Sequence, residues 1–149
     1  LIHIDFVSDK RGWIVGDGGT ILFTRDGGAS WTKQNVGTTG TLYHVDFRND
    51  KDGWVVGERG TILRTTDGGE TWAPVPTNLN LTLLSIQFAS DKEGWVIGRT
   101  GTILKSTDEG KTWVREESTT RQNLYSINFN KKIGWVVGGG GIVLRYERP

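Results

Sequence analysis

The chain has 149 residues, the length of one ordinary domain, and its 35% apolar and 23% charged content excludes both a membrane-embedded segment and a disordered tail. Lys plus Arg (18) nearly cancels Asp plus Glu (17), and a net charge of +1 excludes a protein held to nucleic acid by bulk charge. The absence of cysteine excludes disulfides, thiolate zinc sites and a Cys nucleophile, and no apolar run reaches the ~18 residues that a membrane-spanning helix needs.

What the composition does point to is a repeat, since 22 Gly and 7 Trp stand against only 3 Pro. Gly-Trp recurs at Gly12-Trp13, Gly53-Trp54, Gly94-Trp95 and Gly134-Trp135, with periods of 41, 41 and 40 residues. Trp31, Trp72 and Trp113 are also 41 apart, so one unit accounts for every tryptophan. The copies begin at Leu1, Leu42, Leu83 and Leu124, which divides the chain into residues 1–41, 42–82, 83–123 and 124–149.

In chain order, each unit reads as four short strands. Leu42–Phe47 alternates Tyr43, Val45 and Phe47 against His44 and Asp46, the period of a strand. Asn49-Asp50-Lys51-Asp52-Gly53 supplies a turn, Trp54-Val55-Val56 a second apolar strand ended by Gly57, and Thr61–Thr65 a third. Asp67-Gly68-Gly69 then makes a tight turn into Trp72. The fourth copy stops after Gly141-Ile142-Val143-Leu144, without the Asp turn or its Trp. No window has helical spacing. Four strands per ~40 residues, repeated, predict an all-β fold: a β-propeller of four blades of about 41 residues, the last lacking its outer strand.

Strand order in such a blade puts the Gly-x-x-Gly loops (16–19, 57–60, 98–101, 138–141) beside the connections between blades, on one face. The turns after the inner strands and the Asp turns belong to the other. Positions that keep the repeat are scaffold, and positions that break it are candidates for function. Asp26, Asp67 and Asp108 are expected to accept backbone N–H bonds within their own hairpins, closed by Thr24, Thr65 and Ser106. His3 and His44 share one repeat slot, two residues before Asp5 and Asp46. The later copies place Ser85/Gln87 and Ser126/Asn128 there, which suits a polar brace better than a metal site with its three or four ligands. Tyr43 and Tyr125 share a slot with Ile2 and Leu84 and are expected to pack. The Gly-x-x-Gly loops join strand to strand, without the helix that a phosphate loop needs, so no cofactor is expected.

Two features break the repeat. The segment 114–123 is the most divergent and charged, and its adjacent Glu116 and Glu117 would point to opposite faces of a strand, a poor arrangement for a two-carboxylate hydrolase. Arg59 and Arg99, at the loop tips, and Arg115 and Arg121, in the segment, are the candidate partner-binding residues.

The pattern T-x-D-x-G-x-[ST]-W at Thr24–Trp31, Thr65–Trp72 and Ser106–Trp113 resembles the Asp-box, or bacterial neuraminidase repeat. Joined to G-W-x-V-G-x-x-G-T-I-L, it resembles the photosystem II stability/assembly factor family of propellers. That resemblance implies a non-catalytic scaffold that binds a protein or peptide partner through an arginine-rich surface, in an extracytoplasmic setting such as periplasm or thylakoid lumen. The family's propellers are typically seven-bladed. The expectation here is therefore a longer parent chain, or a second copy completing a ring as a homodimer. The alternatives are a glycoside hydrolase or carbohydrate-binding propeller, suggested by the Asp-boxes, and an excised or engineered fragment with no function of its own.

Overall fold

The computed structural model describes residues 1–149 and contains four antiparallel sheets in sequence order. The first is β1 (His3–Phe6), β2 (Gly12–Gly16), β3 (Thr20–Thr24) and β4 (Thr32–Gln34). The second is β5 (Leu42–Phe47), β6 (Gly53–Gly57), β7 (Ile62–Thr65) and β8 (Ala73–Pro74), and the third is β9 (Leu83–Phe88), β10 (Gly94–Gly98), β11 (Ile103–Ser106) and β12 (Val114–Arg115). The fourth has three strands: β13 (Leu124–Asn130), β14 (Ile133–Gly138) and β15 (Val143–Glu147). Each sheet runs as a meander from inner to outer strand, as the repeat predicts, and no helix is long and apolar enough to cross a membrane.

The core lies between blades. Trp13, Val15, Ile21 and Phe23 of blade 1 pack on Leu42, Val45, Phe47, Val55 and Leu63 of blade 2. The same positions pair blade 2 with blade 3, and blade 3 with blade 4. At the centre of each junction the Gly-Trp indole meets the inner-strand Phe of the next blade. Ring centroids are 3.5 Å apart for Trp13–Phe47, 4.2 Å for Trp54–Phe88 and 5.9 Å for Trp95–Phe129. Flat aromatic surface buried in this way contributes ~0.5–1.5 kcal/mol per pair beyond area burial.

The repeat glycines are fitted to these rings. A Cβ at Gly53 would stand 2.5 Å from the Phe47 ring, and at Gly94 2.8 Å from both the Phe88 and Trp113 rings. Glycine is thus the only residue that lets the second strand lie under its own blade's Phe.

In each Asp-box the carboxylate is a hairpin clasp, as expected. Asp67 accepts from the Thr71 N–H (2.9 Å) and hydroxyl (2.6 Å) and from the Thr65 hydroxyl (2.7 Å), while the Gly69 N–H donates to Thr65 Oγ1 (2.8 Å). Asp26 repeats the pattern, and hydrogen bonds from Ser30 and then Thr24 hold its carboxyl down to about 2. The following Trp stands edge-on to the inner Phe of its blade, as in Phe47–Trp72 at 5.8 Å. Trp72 also reaches the previous blade, donating to Gln34 Oε1 at 3.0 Å. In blade 4, Tyr146 sits opposite Gly134 and takes over the edge-on contact to Phe129 at 6.3 Å.

Two details depart from simple alternation. Each Gly-x-x-Gly link of blades 2–4 is a single 3-10 turn (Glu58–Gly60, Arg99–Gly101, Gly139–Gly141). The inner strands of those blades also carry a β-bulge at Tyr43, Leu84 and Tyr125. A bulged residue leaves the ladder and can be aimed elsewhere. Tyr125, expected to pack, is 55% exposed, whereas Tyr43 and Leu84 at the same bulge are half-buried.

Thr65 is buried and serves both Gly69 and Asp67. Thr65→Val keeps the shape but strands the buried Gly69 N–H. It is expected to cost about 1–3 kcal/mol in urea unfolding, and a change under ~0.5 kcal/mol would refute this role of the clasp.

Candidate functional site

Backbone hydrogen bonds confirm the division into two faces. The Gly-loop amides bind the inter-blade connections: Gly19 to Gly40, Gly60 to Leu81 (2.7 Å) and Gly101 to Gln122 (2.8 Å). On the opposite face the Asp-boxes bind the turns after the inner strands, as in Gly27 to Lys10 and Gly68 to Lys51.

On the connection face, the bend joining blade 3 to blade 4 encloses a cleft of about 700 Å³. Thr100 and Gly101 form one wall, Arg115, Glu116, Glu117, Ser118, Thr120 and Arg121 the other, and no lining residue is hydrophobic. The fold dictates this shape. Gly101, at φ +69°, lies so close to the Thr120 carbonyl that a Cβ would overlap it, and Ser118 ties its hydroxyl to the same carbonyl at 3.1 Å. Thr100 holds φ +54°, a left-handed conformation that a β-branched residue adopts only at a cost of ~1–2 kcal/mol. The same loop position is Gly18 in blade 1, Arg59 in blade 2 and Gly140 in blade 4.

Of the four candidate arginines, Arg115 and Arg121 therefore share one cleft. Arg99 immediately precedes its Thr100 wall, whereas Arg59 tips the loop one blade earlier and does not line the cleft. All four are exposed. Of the ten arginines in the chain, Arg25, Arg48, Arg145 and Arg148 form ion pairs, and Arg11 and Arg64 lie over Trp13 and Trp54. Only Arg59, Arg99, Arg115 and Arg121 have neither kind of partner.

Glu116 and Glu117 follow directly on β12, which ends at Arg115. Both line the cleft, and both also reach an adjoining apolar cleft of about 340 Å³ between blades 3 and 4. Sequence reasoning also missed Tyr125. The bulge turns it toward the bare Gly139–Gly141 tip, with its hydroxyl 3.7 Å from where a Gly139 Cβ would stand.

The inner strands carry the polar brace predicted for the His/Asp slots. Asp5 Oδ2 accepts from the Phe47 N–H at 2.8 Å, His3 Nδ1 from the Val45 N–H at 3.4 Å, and Gln87 Oε1 from the Phe129 N–H at 2.6 Å. Each tether joins one blade to the next. The His3 and His44 rings lie 3.8 Å apart, and the chain holds no cluster of three or more His, Asp or Glu with metal-site geometry. Burial, then the charge of Asp5, pushes the Asp46 carboxyl up to about 7, against an opposing hydrogen bond from the Phe88 backbone. Burial, then the charge of His3, pushes His44 down to about 3.

Fold and site together define an Asp-box β-propeller with an irregular, polar cleft on the connection face. The chain belongs to the family described as photosynthesis system II assembly factor YCF48, whose pattern matches residues 1–81, 30–115 and 74–147. Among solved structures, it is similar to YCF48 from Cyanidioschyzon merolae at 18% identity and a TM-score of 0.63, over 97% of this chain and 66% of that one. YCF48 bound to D1 peptide aligns at 18% identity and a TM-score of 0.49, covering 99% of this chain and 91% of that one. An ancestral GH74 enzyme shares the fold at 16% identity and a TM-score of 0.77, over 97% of this chain but 22% of the enzyme. No curated protein matches the sequence.

Asp46 and His44 set opposite pH dependences. Asp46 ionises near 3.8 when unfolded and near 7 when folded, so stability falls as pH rises between those values. His44 titrates near 6.5 unfolded and near 3 folded, so stability falls as pH drops through that range. Asp46→Asn is expected to raise the melting temperature by about 5 °C or more near pH 8, with the gain fading toward pH 4. A variant no more stable than the parent near pH 8 would refute the burial of this carboxyl.

Proposed function

We propose that this propeller is a non-catalytic docking module that takes a protein or peptide segment on its connection face, at the junction of blades 3 and 4. The observation that carries the reading is the set of four unpaired guanidinium groups. Ion pairs or aromatic rings occupy the six other arginines, while Arg59, Arg99, Arg115 and Arg121 remain free to take carboxylates from outside the chain. A guanidinium offers two parallel donors to a carboxylate, so a partner with an acidic side chain or a free C-terminus fits this surface. Glu116 and Glu117 on the same wall would repel a uniformly acidic partner and so restrict where its charges can lie. Tyr125, beside a tip with no side chains, offers a flat surface for an extended backbone. Thr100 fits the reading too, because strained backbone is retained where a binding surface needs it. Membership of an assembly-factor family supports a protein or peptide as the partner.

The test is fluorescence anisotropy with labelled ten- to twelve-residue peptides that differ in carboxylate count and C-terminal amidation, a D1 peptide among them. Carboxylate-bearing peptides are expected to bind, with affinity falling as salt rises. Arg115→Glu/Arg121→Glu is expected to weaken binding at least about tenfold, with Arg99→Glu adding to the loss. Equal binding by parent and double variant, or no binding by any peptide, would overturn the proposal.

A further inference from the structure

We infer that the partner segment carries charge of both signs: a basic side chain for the wall formed by Glu116 and Glu117, a few residues from the carboxylate that Arg115 and Arg121 take. The inference rests on the docking reading above and names the chemistry of the partner more closely. Two observations carry it. These four charges are peculiar to one bend, and none of them is paired within the chain.

Strand pairing fixes the equivalent positions. Arg115 stands opposite Leu104, as Lys33 stands opposite Leu22 and Pro74 opposite Leu63. From there the slot of Glu116 is Gln34 in blade 1 and Val75 in blade 2, that of Glu117 is Asn35 and Pro76, and that of Arg121 is Thr39 and Asn80. All three bends are tied by the same kind of amide bond, from Gly19 to Gly40, from Gly60 to Leu81 and from Gly101 to Gln122. Lys33 is the one charge in the equivalent places, and the bend of blade 2 forms with none. The backbone of the bend therefore does not need the charges that blade 3 sets there.

Nor do these charges serve one another. Two guanidiniums and two carboxylates fall within residues 115–121, yet the five ion pairs of the chain all lie elsewhere. Of the seven glutamates, Glu70, Glu93, Glu109 and Glu147 are in ion pairs, and Glu58 accepts the Thr41 N–H. Glu116 and Glu117 have neither kind of partner, and both are exposed.

The cleft of about 700 Å³ thus gathers free groups of both signs. A uniformly acidic segment would meet the glutamates with its own charge, and a uniformly basic one would meet the arginines so. A segment with a carboxylate and a lysine or arginine close together satisfies both. Pairing of that kind fixes the direction and register of the segment as well as its affinity. An ammonium group, with three rotatable donors, can meet two neighbouring carboxylates without a fixed geometry.

The experiment is fluorescence anisotropy on the full chain with labelled peptides of about ten residues, long enough to span the cleft extended. Each has a Gly and Ser background, one Asp, a free C-terminal carboxylate and a single Lys placed at varied distance from the Asp, with Gln and Glu twins of that Lys. At the favoured spacing the Lys peptide is expected to bind at least about threefold tighter than its Gln twin and about tenfold tighter than its Glu twin. Glu116→Lys/Glu117→Lys is expected to reverse the order, so that the Glu twin binds tightest, a rescue that a structural role would not give. Far-UV circular dichroism checks the fold, with Glu117→Lys alone as the replacement if the double variant is unfolded. Binding that needs Arg115 and Arg121 but ranks Lys, Gln and Glu peptides alike, or keeps its order in the reversed variant, would overturn this inference and leave the docking reading standing. No binding by any peptide would overturn both.

Discussion

The indole of one blade lying on the phenyl ring of the next carries the rest of this structure. A four-stranded sheet of short strands cannot bury its own faces, so each blade is stable only against a neighbour. The Trp–Phe pair supplies that neighbour in one contact, and its geometry reaches back into the sequence. Gly53 and Gly94 must be glycine because the Phe ring of the same blade lies over the strand start. The ring separation widens from 3.5 Å at the first junction to 5.9 Å at the last, where Tyr146 stands in for an Asp-box Trp and an apolar cleft opens. The packing loosens where the repeat itself changes.

Around this contact, polar groups are used to hold register. The Asp-box carboxylates close hairpins, and the side chains at the His/Asp positions tether one inner strand to the backbone of the next. Both tasks consume hydrogen-bonding capacity that a catalytic or metal site would need. Burial raises Asp46 and lowers His44, so each resists its charged form, which is what a wall of close-packed inner strands imposes on a polar residue. Packing accounts for both shifts.

The repeat was legible because the Trp–Phe contact demands both residues once per blade, and a 41-residue period survives in the sequence whatever the loops do. The clasp role of Asp67 was legible for a similar reason: Thr, Asp, Gly and Thr at fixed offsets have only local backbone to satisfy. The bulge at Tyr125 was not legible. An inner strand with one residue out of the ladder shows the same alternation of apolar and polar side chains, and only pairing reveals the slip. That Glu116 and Glu117 line one cleft was hidden because β12 is two residues long and strand alternation says nothing beyond it. Of the arginines, the sequence could name those that break the repeat. It could not show that their neighbours leave them unpaired.

This separation of labour supports the site proposed on the connection face. Any residue that contacts the next blade is constrained by a geometry repeated along the chain, so it cannot be altered for a partner without weakening a junction. The connection face escapes that constraint. Its loop tips are anchored to the connections by backbone amides, through Gly60 and Gly101, and only Glu58 adds a side-chain bond there, accepting from the Thr41 N–H. Glu58-Arg59, Arg99-Thr100 and Gly139-Gly140 occupy equivalent places with unlike charge and size, and the fold accepts all three. The bend after β12 goes further, because it follows a strand of only two residues and is held by Gly101, Ser118 and Thr120. A scaffold that spends its aromatic and Asp-box residues on junctions and hairpins leaves this bend as the place where free guanidinium groups can gather without cost to the blades.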